Sequence, residues 1–95
     1  MSGTELIAAE RQRQVEVEGY DAAHDKHHDG SDDMVMAAIC YALPDEQRRG
    51  DPPIWWPWAS SYWKPTPDDR IRELVKAGAL IAAEIDRLNA ERAEP

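Results

Sequence analysis

The 95-residue chain has no phenylalanine, one cysteine and few cations. The lone Cys40 excludes an intrachain disulfide, and its place inside an apolar run marks it as a small buried hydrophobe in a reducing compartment. No apolar run reaches the roughly 18 residues of a membrane span, and no signal-peptide pattern opens the chain. Eleven Lys and Arg against 19 Asp and Glu leave a net charge of −8. That balance repels a long polyanion, so nucleic acid is not the main partner, although a local basic pocket can still hold a small anion. Neither a glycine-rich phosphate loop nor a Ser/His/Asp or Cys/His nucleophile arrangement is present, and Ser60 and Ser61 lie in the wrong context for one. β-alternation and internal repeats are absent as well. The expectation is one soluble, intracellular, all-α domain, with a core small enough to favour oligomerisation.

What the chain does have is concentrated. All four tryptophans fall within the nine residues Trp55 to Trp63, together with Tyr62 and followed by Lys64-Pro65. A chain that only filled a core would spread aromatic volume along its helices. Flat amphipathic rings beside a cation form a wall for stacking or a docking surface, and capping a small core is compatible with either.

Three helices frame this loop. The first is expected from about 4 to 18, opened by Ser2 with Glu5 as a capping box and stopped at Gly19. Residues 20–30 are polar, without periodicity, and read as a His/Asp-rich loop. A second helix fits about 31 to 43, apolar nearly all round and ended by Pro44. Asp45 to Gly50 reads as a solvated turn, and 51–66 as a Trp/Pro loop. Thr66-Pro67-Asp68-Asp69 then predicts the cap and first turn of a long helix over about 67–92. Between Leu74 and Ile85 only Lys76 and Glu84 are charged, so that helix should be covered on most sides. Its small residues, Ala77, Gly78, Ala79, Ala82 and Ala83, offer close approach to a second copy, and a helical homo-oligomer follows.

Three groups of residues could carry chemistry. His24, His28 and Asp33 could ligate a divalent metal if the loop turned helically. Glu10, Arg13 and Gln14 on the first helix, with Lys76 and Glu84 on the last, are polar where the pattern demands core contact. Buried charge must be paired or bind something, so they form either ion pairs, such as Glu10 with Lys76 and Arg13 with Glu84, or a ligand face. Trp56, Trp58 and Trp63 with Lys64 could stack a nucleobase, at about 1–3 kcal/mol per ring, and meet its phosphate; Arg70 and Arg72 lie just beyond.

The order Ala9-Glu10-Arg11-Gln12-Arg13-Gln14, Glu18-Gly19-Tyr20, His24-Asp25, Ala37-Ala38, Tyr41-Ala42, Pro52-Pro53, Trp56-Pro57-Trp58, Trp63-Lys64-Pro65 and Leu74 through Leu88 resembles a module of bacteriophage and prophage accessory proteins. That module stands alone or at the C-terminus of Ead-like early-region proteins. The resemblance spans almost the whole chain and implies phage origin, hence a host-cytoplasmic location, without supplying an activity. Ser31-Asp32-Asp33 departs from the pattern, which has a glycine and a glutamate before an apolar residue. Helix order and the polar first-helix face also bear a remote resemblance to all-α MazG-type pyrophosphohydrolases. The leading expectation is a cofactor-independent binder of a nucleotide-like small molecule, able to sequester a host defence signal. The alternatives are a magnesium-dependent nucleotide pyrophosphohydrolase using Glu10, Asp33 and Glu84, and an inhibitor that grips a host protein through the Trp loop.

Overall fold

The structure is a computed structural model that describes residues 1–18 and 32–93. Three helices make up the described part, with no strand among these residues. Helix α1 spans Gly3–Arg13 and opens with the expected capping box: Ser2 Oγ accepts the Glu5 amide at 3.2 Å while Glu5 accepts the Ser2 amide at 2.9 Å. It does not run on as regular α-helix. From Gln14 to Glu18 it widens into a π-helical turn, a register found disproportionately at functional sites.

Helix α2, Asp33–Ala42, is buried on more than one side through Met34, Ala37, Ala38, Cys40 and Tyr41. Burial also pushes the Cys40 thiol pKa up, as suits an inert thiol. Helix α3, Arg70–Ala93, is about 36 Å long at 1.5 Å per residue. Its start is three residues later than Thr66 predicts. Thr66 to Asp69 forms a turn of its own, closed by the Asp69 amide on the Thr66 carbonyl at 2.8 Å. Asp69 is the residue whose carboxylate accepts the Arg72 amide at 3.1 Å, the bond an N-cap makes.

The small residues of α3 are used inside the protomer. Ala77, Ala79 and Ala83 are buried, and two of them join Ala37, Ala38, Met34, Tyr41 and Leu80 in the core between α2 and α3. Gly78 instead receives α1: a Cβ there would lie 2.6 Å from Ile7 Cδ1, so only glycine admits the isoleucine at this distance. Neighbouring residues Glu10 and Arg11 reach Arg72 and Asp86 respectively. Those positions lie roughly 21 Å apart along α3, so α1 must cross it steeply rather than run beside it. Ile71, Leu74, Ile81, Ile85 and Leu88 are exposed among the described residues of the single chain, so its own helices supply only part of the covering expected from neighbours that include a second copy.

The connection from α2 to α3 holds the site. Two arginines close the C-terminus of α2, where carbonyls lack helical partners and the dipole favours cations. Arg48 donates to the Cys40 and Tyr41 carbonyls at 3.0 and 3.1 Å, and Arg70 to those of Tyr41 and Leu43 at 3.0 Å each and to that of Ala42. Glu73 joins them, accepting Arg48 at 2.9 Å and Arg70 at 3.4 Å. The expected solvated turn is thus corrected at Arg48, whose side chain is only 5% exposed. Over this base the Trp loop folds back, with Trp56, Trp58 and Trp63 packed against the core. Among the described residues, no helix is long and apolar enough to cross a membrane.

Candidate functional site

A cleft opens where α1, α2, α3 and the Trp loop meet. Glu10, Arg13 and Gln14 line it from α1 and its π-helical turn, Tyr41 from α2, and Lys76 and Leu80 from α3. Trp56, Trp58, Tyr62 and Lys64 line it from the loop. The fold therefore brings together Glu10, Arg13, Gln14, Trp56, Trp58, Lys64 and Lys76 of the sequence-predicted set, and leaves Trp63 and Glu84 outside the lining. The cleft is small, with a volume of about 30 Å³, and it is partly open to solvent.

The polar floor is arranged in a definite order. Glu10 is buried and accepts Arg13 twice at 2.8 Å and Arg72 at 2.7 Å. Burial alone would raise its pKa; hydrogen bonds from Arg13 and Arg72 outweigh that and hold the carboxyl below the usual range. Glu10 also accepts the Gln14 amide nitrogen at 3.3 Å, which fixes which way round that side chain lies. Gln14 is itself buried, and its Oε1 has no hydrogen-bond partner. Among the described residues that acceptor is unmatched, and a buried acceptor left alone costs about 1–3 kcal/mol, so the position calls for a donor.

Lys76 lies at 9% exposure, its ammonium donating to the Lys64 carbonyl at 2.7 Å and sitting 5.3 Å above the Tyr41 ring. Burial lowers its pKa, with Arg72 and Arg13 adding to the effect and Glu10 and Glu73 opposing it. The ion pairs anticipated from the sequence are replaced by others. Glu10 pairs with Arg13 and Arg72 rather than Lys76, and Glu84 pairs with Arg87 at 2.6 and 3.1 Å rather than with Arg13. Both alternatives are local or geometrically bidentate, and an i,i+3 arginine reaches its carboxylate with less lost side-chain freedom than a cross-helix lysine.

The tryptophans divide their roles. Trp56 and Trp58 meet edge to face at 5.4 Å and form one wall of the cleft, the Trp56 indole N–H donating to the Ala59 carbonyl at 3.0 Å. Trp63 is structural: it packs on Tyr41 at 4.7 Å, carries Arg48 at 5.3 Å from its ring, and donates to Asp51 at 3.0 Å. Trp55 and Ile54 turn outward on another flank of the loop, beside Leu43 and Pro53.

Of the expected metal ligands, His24 and His28 lie outside the described residues, and Asp33 is the half-buried first residue of α2. Among the described residues, no three His, Cys, Asp or Glu side chains gather as a metal site, so Glu10, Asp33 and Glu84 do not converge. Two site residues escaped the sequence reading, Tyr41 in the lining and Arg48 beneath Trp63, while Tyr62 and Arg72 were read only as neighbours of the tryptophans and here line the cleft and pair with Glu10. Tyr41 carried one legible signal, since it is the polar-tipped ring on an otherwise aliphatic helix. Compared with family models, with curated proteins and with solved structures, the chain matches none.

Proposed function

We propose that the protein binds a nucleotide-like small molecule in this cleft without transforming it. The observation that carries the reading is Gln14 Oε1, a buried acceptor with no partner among the described residues, in a cleft that also holds the Lys76 ammonium and an indole wall. A nucleobase edge presents N–H and C=O groups side by side, so the amide oxygen takes the donor and the lysine meets the acceptor. The small volume of the cleft suits such an edge rather than a whole nucleotide. The ring then stacks on the outer faces of Trp58 and Tyr62, and phosphate lies towards Arg13 and Lys64 at the mouth. Glu10, saturated by two guanidinium groups, and Glu84, clamped by Arg87, are poor magnesium ligands, which favours binding over hydrolysis. The phage resemblance supports sequestration of a host signalling nucleotide as the biological use.

A thermal-shift panel of linear and cyclic nucleotides tests this directly. A true ligand at 100 times its Kd stabilises by about 2.7 kcal/mol, which for a chain of this size raises Tm by roughly 10 °C or more. Trp58→Ala should weaken that ligand by about 1–3 kcal/mol and Lys76→Met by tenfold or more, the ligand being recovered intact after heat denaturation. A flat panel removes the reading. Turnover of the ligand moves it to the hydrolase, and capture of a host protein lost in Trp55→Ala but kept in Trp58→Ala moves it to the loop's outer flank.

A further inference from the structure

A second hollow, of about 350 Å³, opens between the C-terminal end of α2 and the outer flank of the Trp loop. Its least exposed members are Pro53 and Leu43; Ile54 and Trp55, 71% and 51% exposed, stand along it with Gln47 and Arg49. The volume falls at the lower end of the roughly 300–1,000 Å³ of ligand pockets. No lining residue is shared with the nucleotide cleft.

Three features define what fits there. The lining holds one charge, Arg49, and no carboxylate, in a chain with 19 acids against 11 Lys and Arg. Among the described residues no acid pairs with Arg49, whereas its neighbour Arg48 is engaged by Glu73, Asp45 and two carbonyls. The Trp55 indole N–H also has no acceptor among those residues, while Trp56 donates to Ala59 and Trp63 to Asp51. Apolar surface bordered by unengaged donors complements an apolar side chain that stands beside an acceptor. The third feature is stiffness. The Ile54 amide donates to the Arg49 carbonyl at 3.0 Å and the Trp56 amide to that of Pro53 at 2.9 Å. Pro52 and Pro53 fix their own φ, and Gly50 turns the chain at φ +92°, where a Cβ would lie 2.9 Å from the Pro52 carbonyl oxygen. A partner thus meets Ile54 and Trp55 already in place, which reduces the ordering cost of association.

We propose that this flank docks a short segment of another protein that carries a single Asp or Glu among apolar residues. The carboxylate takes the Arg49 guanidinium, whose planar fork matches it with two parallel hydrogen bonds. The neighbouring apolar side chains enter the hollow against Trp55, Ile54 and Pro53. Trp and Arg are among the residue types that dominate such contacts. A single acid, rather than a run of them, follows from the charge balance. The chain's −8 repels a polyacidic partner, whereas one carboxylate held on Arg49 is screened from distant charges beyond about 10 Å. A peptide here and a nucleotide in the cleft are compatible. Only a flat nucleotide panel together with peptide capture would leave this flank as the chain's main binding surface.

A random peptide library displayed on yeast and selected against the immobilised full chain tests the assignment. The expected consensus sets one acid among apolar residues, and a synthetic peptide of that consensus should bind the free chain in fluorescence anisotropy. Arg49→Glu and Trp55→Ala should each weaken it by about tenfold or more. Helical circular dichroism should stay intact in both, because these side chains are exposed. Charge reversal separates recognition from a damaged loop: Arg49→Glu should regain affinity when lysine replaces the peptide's acid. Ile85→Lys, an exposed apolar position on α3, should bind the original peptide as the wild type does. The proposal is overturned if no peptide is enriched, if the consensus lacks an acid, or if Arg49→Glu keeps wild-type affinity. It is equally overturned if another occupant takes the flank. A doubled chain mass that Trp55→Ala abolishes assigns it to a second copy, and adsorption to anionic vesicles without peptide binding assigns it to a membrane surface.

Discussion

Glu73→Ala should lower the unfolding free energy by about 3–5 kcal/mol, because it leaves a buried cation without its acid. Glu73 is 1% exposed, and among the described residues its carboxylate is the buried acid that faces the 5%-exposed Arg48, at 2.9 Å. It also accepts Arg70 at 3.4 Å and the Thr66 amide at 3.1 Å, so it ties both arginines at the C-terminus of α2 to the entrance of α3. Without it a buried guanidinium loses its neutralising partner, and Arg48 has only the carbonyls of Cys40 and Tyr41 and an exposed Asp45 to turn to. Glu10→Ala makes the control. Glu10 is equally buried, but the Arg13 and Arg72 side chains that pair with it are 37% and 34% exposed and can return to water. Its loss should cost nearer 1–2 kcal/mol. Urea unfolding measures both. Equal losses would show that the depth of the cation, rather than of the acid, is not what sets the cost. Against a total of about 5–15 kcal/mol, the Glu73 variant would be close to unfolding at physiological temperature.

The same carboxylates set the acid limit of the fold. For Glu73, as for Glu10, burial would raise the pKa, and the larger combined pull of its partners leaves it below the ordinary 4.5; Arg48 leads, followed by the Thr66 amide and Arg70. A carboxyl depressed in the folded state contributes stability that is fully present above its unfolded pKa and is lost as pH falls through its folded one. Tm should therefore hold steady down to about pH 5 and then fall steeply, and Glu73→Gln should flatten that fall. Lys76 acts at the other end with the opposite charge. Its folded pKa lies below the ordinary 10.5, so the unfolded chain binds the extra proton between the two values, and this residue's contribution rises with pH across that window.

How much of this was legible depended on whether neighbours or the chain itself decided each feature. The three helices were readable because their signals are local: a Ser2/Glu5 capping box, Pro44 after α2, and acidic residues ahead of Arg70. The start of α3 slipped from Thr66 to Asp69 because both can cap, and the Thr66 segment closed its own turn first. Of the polar residues on apolar faces, Glu10, Gln14 and Lys76 are buried along the cleft, while Glu84 is buried outside it. Their partners were not readable, because α1 crosses α3 steeply and that angle follows from Ile7 seating on Gly78, a tertiary fit with no sequence period. Arg48 was hidden for a similar reason. In a run of charged residues nothing local distinguishes the one that turns inward to serve another helix's carbonyls. The aliphatic stripe of α3 was visible as greasiness but not as a stripe, since only the folded protomer shows which half its own helices cover.

Tyr41→Ala is expected to cost about 3–5 kcal/mol and, in the same step, to dismantle the cleft. Tyr41 is 5% exposed and stands where core and wall become one structure: it belongs to the α2–α3 core, meets Trp63 at 4.7 Å and Trp56 at 5.6 Å, and lies under the Lys76 ammonium. Its hydroxyl accepts the Lys64 amide at 3.1 Å, fixing the loop just as it leaves the tryptophans. Tyr41→Phe keeps the rings packed and removes the hydroxyl that accepts the Lys64 amide, for about 1 kcal/mol. The indoles report the difference, because every tryptophan of the chain lies in this loop. Emission should shift to the red in Tyr41→Ala as Trp56 and Trp63 gain water, and stay near wild type in Tyr41→Phe. If the alanine variant kept a wild-type spectrum and wild-type urea midpoint, the loop would be holding itself in place without the core. The tryptophan wall would then be an independent flap, and the coupling between stability and ligand binding that Tyr41 imposes would not exist.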